Sequence, residues 1–298
     1  MLLPYAIVLA LSGCGSSRVE RPIDDGRPVV ATPADETSPA TNGTDLAWTR
    51  GSKDAPVIVM KLGTVFLSHV GGRPVRITPK GVLAASGVMD ARTLVVQVIR
   101  NHGSDLELYD LKTQRFREPS HGVNTRAWEW RGSISGSRLL FGRFNGVDTY
   151  DIVLADLSTG RERILDSVRG HGAYAEPGQV SGRYAVWAGC PDNFCSVYRY
   201  DIRSGTRLRV PGDYRHVSYA PSVAASGDVY YGYAPYAAGG CGSAVQLRRF
   251  RPGAGSRVLQ TLAAGYDFRF TNTDGRRVVF DRVSCSQGTF DIFAANAG

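Results

Sequence analysis

Short apolar runs recur along this chain at a nearly fixed interval, each introduced by a turn. Ser135-Gly136, Ser181-Gly182, Ser226-Gly227 and Asp274-Gly275 follow one another at steps of 46, 45 and 48 residues. After each comes an apolar or aromatic run: Leu139-Leu140-Phe141, Tyr184-Ala185-Val186-Trp187, Val229-Tyr230-Tyr231 and Val278-Val279-Phe280. A second kind of run ends near an acid, as in Leu108-Tyr109-Asp110-Leu111, Leu154-Ala155-Asp156-Leu157 and Tyr200-Asp201-Ile202. In Asp156-Leu157-Ser158-Thr159-Gly160 and Asp201-Ile202-Arg203-Ser204-Gly205 the Asp can cap a turn whose Gly takes positive φ. A third kind alternates arginine at Arg115/Arg117, Arg161/Arg163 and Arg207/Arg209, and less regularly at Arg73/Arg76. Period two places those guanidinia on one face of a half-buried strand. Residues 91–117 read as a further unit. Leu46-Ala47-Trp48 to Thr78 reads as a degenerate first one, with Trp48 placed like Trp128. Six units then cover Thr44 to Gly298, with no helix predicted after the leader.

Four short strands per 40–50 residues, repeated, is the pattern of a β-propeller blade. The units resemble TolB-type propeller repeats, and Tyr150-Asp151-Ile152-Val153-Leu154-Ala155-Asp156-Leu157-Ser158-Thr159-Gly160-Arg161 is the nearest match. The resemblance covers most of residues 80–298 and departs from the family at its Pro-x-Trp-Ser-Pro-Asp-Gly turn, of which Pro221 to Gly227 keeps only Pro and Gly. No Trp-Asp dipeptide occurs, which argues against a WD-repeat propeller. The expected fold is all-β, a six-bladed propeller of four-stranded antiparallel blades, with seven blades as the alternative. The last unit stops after its third strand, Phe290-Asp291-Ile292-Phe293. A segment around Val29–Ala31, within the strand-like stretch 28–32, is therefore expected to complete it, because an unclosed ring leaves strand edges exposed.

The amino terminus reads as an address. Leu2 to Leu11 is an apolar run too short to span a bilayer and suited to a signal peptide. It ends in Leu11-Ser12-Gly13-Cys14, which resembles the bacterial lipobox and implies acylation of Cys14. Residues 1–13 are then a lipoprotein signal peptide, 14–43 a flexible linker and 44–298 the propeller. Several acyl chains would hold the protein to the outer face of the cell membrane, in the bacterial envelope.

That compartment changes how the cysteines read. Setting Cys14 aside leaves Cys190, Cys195, Cys241 and Cys285, an even number in an oxidising environment with three possible pairings. Cys190 and Cys195 flank one loop between second and third strands, and Cys241 and Cys285 occupy the same loop in the next two units. The expected pairs are Cys190–Cys195 and Cys241–Cys285. Their spacing fits no zinc pattern.

Composition adds less. With 43% hydrophobic and 21% charged residues the chain is not disordered. Its net charge of +8 rests on 31 arginines against 4 lysines, which the regular placement on outer strands explains as edge protection. No Gly-x-Ser-x-Gly, Ser-x-x-Lys, His-Glu-x-x-His, P-loop or EF-hand pattern is present, so no catalytic residue, cofactor or metal is assigned. The segments leading into the innermost strands are richer in recognition chemistry. They supply Arg126, Trp128, Tyr174, Glu176, His216, Tyr219, Tyr266 and Arg269 as candidate ligand-binding residues at a channel mouth. The expected function is a non-enzymatic, monomeric scaffold or recognition module for an envelope protein, peptide or glycan, with no nucleic-acid partner. The alternative is a propeller enzyme, a metal-dependent hydrolase (lactonase) or a lyase, acting in the channel.

Overall fold

The computed structural model describes residues 26–32, 34–51, 62–69, 72–101, 103–192, 194–213, 215–236 and 241–298. The leader and Cys14 lie outside them. The described residues form 24 strands and no α-helix. Pairing groups these strands into four-stranded antiparallel units. The first holds β2 (Glu36–Thr41), β3 (Asp45–Gly51), β4 (Gly63–His69) and the two-residue β5 (Val75–Arg76). The second is β6 (Ala84–Met89), β7 (Thr93–Arg100), β8 (Gly103–Asp110) and β9 (Arg115–Arg117). The third is β10 (Trp128–Ser135), β11 (Arg138–Phe144), β12 (Thr149–Asp156) and β13 (Arg161–Arg169). The fourth is β14 (Tyr174–Ser181), β15 (Tyr184–Cys190), β16 (Ser196–Asp201) and β17 (Thr206–Arg209). The fifth is β18 (His216–Val223), β19 (Val229–Pro235), β20 (Val245–Arg251) and β21 (Gly255–Leu262).

The last unit draws on both ends of the described chain. β22 (Tyr266–Thr273), β23 (Arg277–Ser284) and β24 (Phe290–Asn296) are followed at the outer edge by β1 (Arg27–Val30). β1 pairs antiparallel with β24, Arg27 opposite Ala294 and Val30 opposite Ile292.

The first strands of the units lie side by side, β2 beside β6, β6 beside β10 and so on, with β22 again beside β2. Single bridges, Ser133 to Val88 and Gly63 to Ala84, link the first three units into a continuous sheet. Every first strand carries a register shift against its second strand at the same place: after Thr37, Ser86, Trp130, Pro177, Tyr219 and Phe268. Bulges of this kind bend the strand and free backbone N–H groups. Gly87 and Gly178 are required there, because a Cβ on either would lie 2.3 Å from a backbone oxygen of the next first strand, that of Gly132 or Pro221.

Burial follows strand order. Every residue of β2 is buried, whereas β9, β13 and β17 face solvent. The arginine pairs of β9, β13 and β17 thus lie on outer strands as the alternation predicts. Arg163 and Arg207 also stack on Tyr200 and Tyr198 of the neighbouring strand or sheet, which covers aromatic surface with guanidinium. The faces of adjacent units enclose a hydrophobic layer at each seam, for example Leu140, Ile152, Leu154 and Val168 against Ala175, Val180, Ala185 and Trp187.

Two expectations need correction. The linker assigned to 14–43 contains β2, a fully buried first strand that reads Glu-Thr-Ser-Pro-Ala-Thr. A polar strand with a proline resembles a spacer because its hydroxyls are satisfied inside the fold. For the same reason Trp48 is not placed like Trp128. Trp48 is buried on a second strand, while Trp128 opens a first strand and is 43% exposed.

Candidate binding mouth at the ends of the first strands

The parallel first strands gather their starting ends at one side of the molecule. Because second strands run antiparallel, the loops between second and third strands emerge at that same side, as the pairing of Tyr174 with Cys190 illustrates. Both disulfides lie there. Cys190–Cys195 closes the β15–β16 loop, and Cys241–Cys285 ties the fifth unit to the last, with Cα–Cα distances of 4.1 and 5.9 Å. The backbone supports the second bridge: Gly265 N–H donates to the Cys241 carbonyl and Cys285 N–H to that of Gly265.

Within this rim, polar side chains from β10, β14 and β22 meet around the axis. Arg131 sits in the β10 bulge at φ 48°, its N–H donating to Gln97 Oε1. Its guanidinium pairs with Glu176 of β14 and lies 3.9 Å from the centre of the Phe270 ring. Burial pushes the Glu176 carboxyl up and the Arg131 guanidinium down, each held back by the charge of the other. Glu176 also accepts the N–H of Ala220, a second bulge residue at positive φ. Asp281, fully buried on β23, accepts from Thr37 Oγ1 and from the N–H groups of Ser38, Arg269 and Phe270. Burial raises its carboxyl even so. These charges stitch bulges of different units together. A small pocket of about 10 Å³ lies between Ser38, Ser86, Arg131 and Phe270.

Tyr174, Tyr219, Asp267 and Arg269 lie close to Glu176, near enough to feel one another's charge. Tyr219 donates to Asp267 Oδ1 at 2.5 Å, and burial beside that carboxylate drives the phenol well above its ordinary value. The Tyr174 hydroxyl lies 3.0 Å from Cys195 Sγ, and burial lifts it to about 12. The Arg269 guanidinium is 56% exposed and reaches Asp267 only at 3.8 Å. The site therefore has phenols that stay neutral, a buried ion pair and one accessible guanidinium.

Of the eight sequence candidates, the structure brings Tyr174, Glu176, Tyr219 and Arg269 together. Seven of the eight lie on the first strands themselves and not on the segments before them. Trp128 packs over Gly103 of the second unit, whose Cβ would lie 2.7 Å from the indole. His216 stacks on Tyr233 and bonds to Asp213. Tyr266 carries the Arg282 guanidinium on its ring. Arg126 is exposed ahead of β10. Arg131, Asp267, Phe270 and Asp281 were not among the candidates. A signal for buried polar structure was present in the repeat of Thr-x-x-x-Glu with Arg 14 residues on, at Thr32/Glu36/Arg50 and Thr125/Glu129/Arg143.

No family model matches the chain, and neither does any curated protein. Solved structures do. It superposes on TolB from Acinetobacter baumannii with a TM-score of 0.51 at 17% identity, over 78% of this chain and 59% of that one. A candidate TolB of Agrobacterium tumefaciens gives 0.58 at 14% identity over 89% and 91%. The fold is a β-propeller. The propeller domain of the Trilobed protease of Pyrococcus furiosus, described as having an open velcro topology, gives 0.51 at 13% identity over 89% and 96%. The chain spans 59% of the length of the Acinetobacter TolB. At these identities the likeness to TolB is one of propeller architecture.

Proposed function

We propose that this chain is an extracytoplasmic, lipid-anchored recognition module, a six-bladed propeller closed by β1, whose mouth binds an envelope protein, peptide or glycan without chemical change. The observation that carries this reading is the chemistry of the mouth. Arg131 is held by Glu176 and Phe270, which leaves a partner the Tyr174 and Tyr219 phenols and the exposed Arg269 guanidinium. Among the described residues no group of three His, Cys, Asp or Glu is placed to hold a metal ion, which weighs against the lactonase-type alternative. Support for six blades is the return of β22 to β2 in the cycle of first strands, and for closure the β1–β24 pairing. The disulfides support an oxidising compartment. The anchor rests on Cys14 and the sequence around it.

The test is co-purification from detergent-solubilised envelope with the tagged full chain, beside the Arg269→Glu variant. One partner enriched by the wild type and lost with Arg269→Glu is expected. A variant that changes nothing, or a stoichiometric metal with hydrolytic activity in place of a partner, overturns the reading. Cys14→Ala should release the protein from the membrane fraction.

A further inference from the structure

A second site lies at the face opposite the mouth, on the outer half of the fifth unit. Third strands run parallel to first strands, so β20 ends at that face and β21 starts there. Arg249 of β20 stands directly opposite Arg257 of β21. The same place in the second, third and fourth units is filled by Leu108 opposite Arg117, Leu154 opposite Arg163 and Arg199 opposite Leu208. Each of those pairs holds a single arginine. Of these four units the fifth alone sets two guanidinium groups against each other, and like charges directly opposite on a sheet destabilise it.

The pair is also short of acceptors. Arg249 is 8% exposed, and among the described residues its guanidinium makes one hydrogen bond, from Nη1 to the Ala297 carbonyl at 3.2 Å. The Nε of each arginine is buried with no hydrogen-bond partner. Buried donors without acceptors are uncommon in folded proteins and call for an explanation. Asp228, the acid whose charge reaches Arg249, gives both its oxygens to Arg251. Burial, and after it the charges of Arg257 and Arg251, push the Arg249 guanidinium down. The two groups converge: a nitrogen of each lies within 4 Å of the point where a Cβ on Gly298 would stand. Gly298, Gly255 and Ser256 are exposed, which leaves the point of convergence next to solvent.

We infer that Arg249 and Arg257 bind a soluble tetrahedral oxyanion, phosphate or a small phosphate monoester. Arginine forks match carboxylate and phosphate oxygens alike. Two forks brought to one point offer more donors than the two oxygens of a carboxylate can take. A dianion with three or more terminal oxygens answers both groups and offsets both charges at once. A phosphodiester, with two terminal oxygens and one charge, does not. This site does not depend on the mouth, and neither reading falls with the other.

Titration of the full chain with inorganic phosphate in chloride buffer of constant ionic strength, followed by calorimetry and thermal melting, is the test. One saturable site is expected, with dimethyl phosphate about tenfold weaker. Glycerol 3-phosphate tighter than phosphate identifies an ester as the ligand, and equal affinity identifies the free ion. Arg257→Gln should abolish the site. In chloride alone its thermal midpoint should equal or exceed that of the wild type, because one of two facing charges is gone. Arg257→Lys keeps the charge and loses the fork, and should weaken phosphate about tenfold. Equal gains from phosphate in the wild type and Arg257→Gln would show a general salt effect and overturn the proposal. An Arg257→Gln midpoint lowered by the same amount with and without phosphate overturns it too, since Arg257 would then be structural only. Should Arg257→Gln fail to fold, Arg257→Lys carries the test, and undiminished phosphate affinity in that variant overturns the proposal.

Discussion

Two seams of this propeller do the same job with different chemistry. Between the third and fourth units, Trp187 is bonded to Asp166, Asp166 is paired with Arg207, and ten buried apolar residues fill the interface. Between the last unit and the first, Trp48 has no acceptor, Val30 replaces the acid, and four buried apolar residues form the cluster. The first seam joins units contiguous in sequence. The second is made by strands from opposite ends of the described chain, and it is the thinner of the two. Repeats of one architecture need not share one stability, since each interface contributes its own nearest-neighbour term.

The largest test of this difference concerns the last unit, which is flanked by the thin seam on one side and by the Cys241–Cys285 bridge on the other. Replacing both cysteines by serine removes a cross-link over 44 residues, about 4 kcal/mol by chain entropy. Urea unfolding should show that loss, and hydrogen exchange should show it beginning in β22–β24. Loss beginning in the fourth unit would reverse the ranking of the seams. Next, Asp166→Val converts the strong seam to the pattern of the weak one. It strands the Trp187 donor and the Arg207 cation, at an expected cost of about 2–3 kcal/mol in denaturant melts. The reciprocal Val30→Asp should change stability by less than about 1 kcal/mol. A charge-assisted hydrogen bond is gained there while apolar contact is lost. Equal and opposite effects of the two substitutions would mean that the surrounding layers are equivalent, against the comparison drawn above.

The smallest effect separates seam from mouth. The Tyr174 phenol is raised to about 12 in the fold by burial, above its ordinary value of 10.0. The unfolded chain therefore releases that proton first as pH rises. The stabilisation is complete below pH 10 and is lost between about 10 and 12. Tyr174→Phe should flatten the fall of the urea midpoint over that interval and leave both seam substitutions unaffected, which comparison of all three variants at about pH 9 and pH 11 would measure.

The second, third and outer strands were legible in the sequence because turn chemistry brackets them and because one face is exposed, which leaves an alternation to read. Ser181-Gly182 before β15 and Arg161/Arg163 on β13 are examples. The disulfide pairs followed from loop equivalence between units. The first strands were harder. β14 and β18 carry Pro177 and Pro221 inside their runs, and β2 carries Pro39, where proline would ordinarily argue against a buried strand. The bulges interrupt the period of two in each of them, and burial on both sides removes the polar–apolar contrast. The mouth was half legible for the same reason. Tyr174, Glu176, Tyr219 and Arg269 stood out as exposed-looking chemistry before apolar runs, while Arg131 and Asp281 are set by bulge geometry and by neighbours 45 and 244 residues away in the chain.

The pairing of Arg27 with Ala294 also fixes an order of assembly. β1 is among the earliest described strands to be synthesised, and its partner is the last. Through nearly the whole synthesis of the described strands β1 has no β24 to join, and their sheet is complete only once β24 has been made. Such long-range pairing slows folding, because the loop must close before any contact rewards it. Until then Trp48 lacks Val279 and Ile292, which cover it, so chains that stop before β23 and β24 are the form most exposed to aggregation and to proteases.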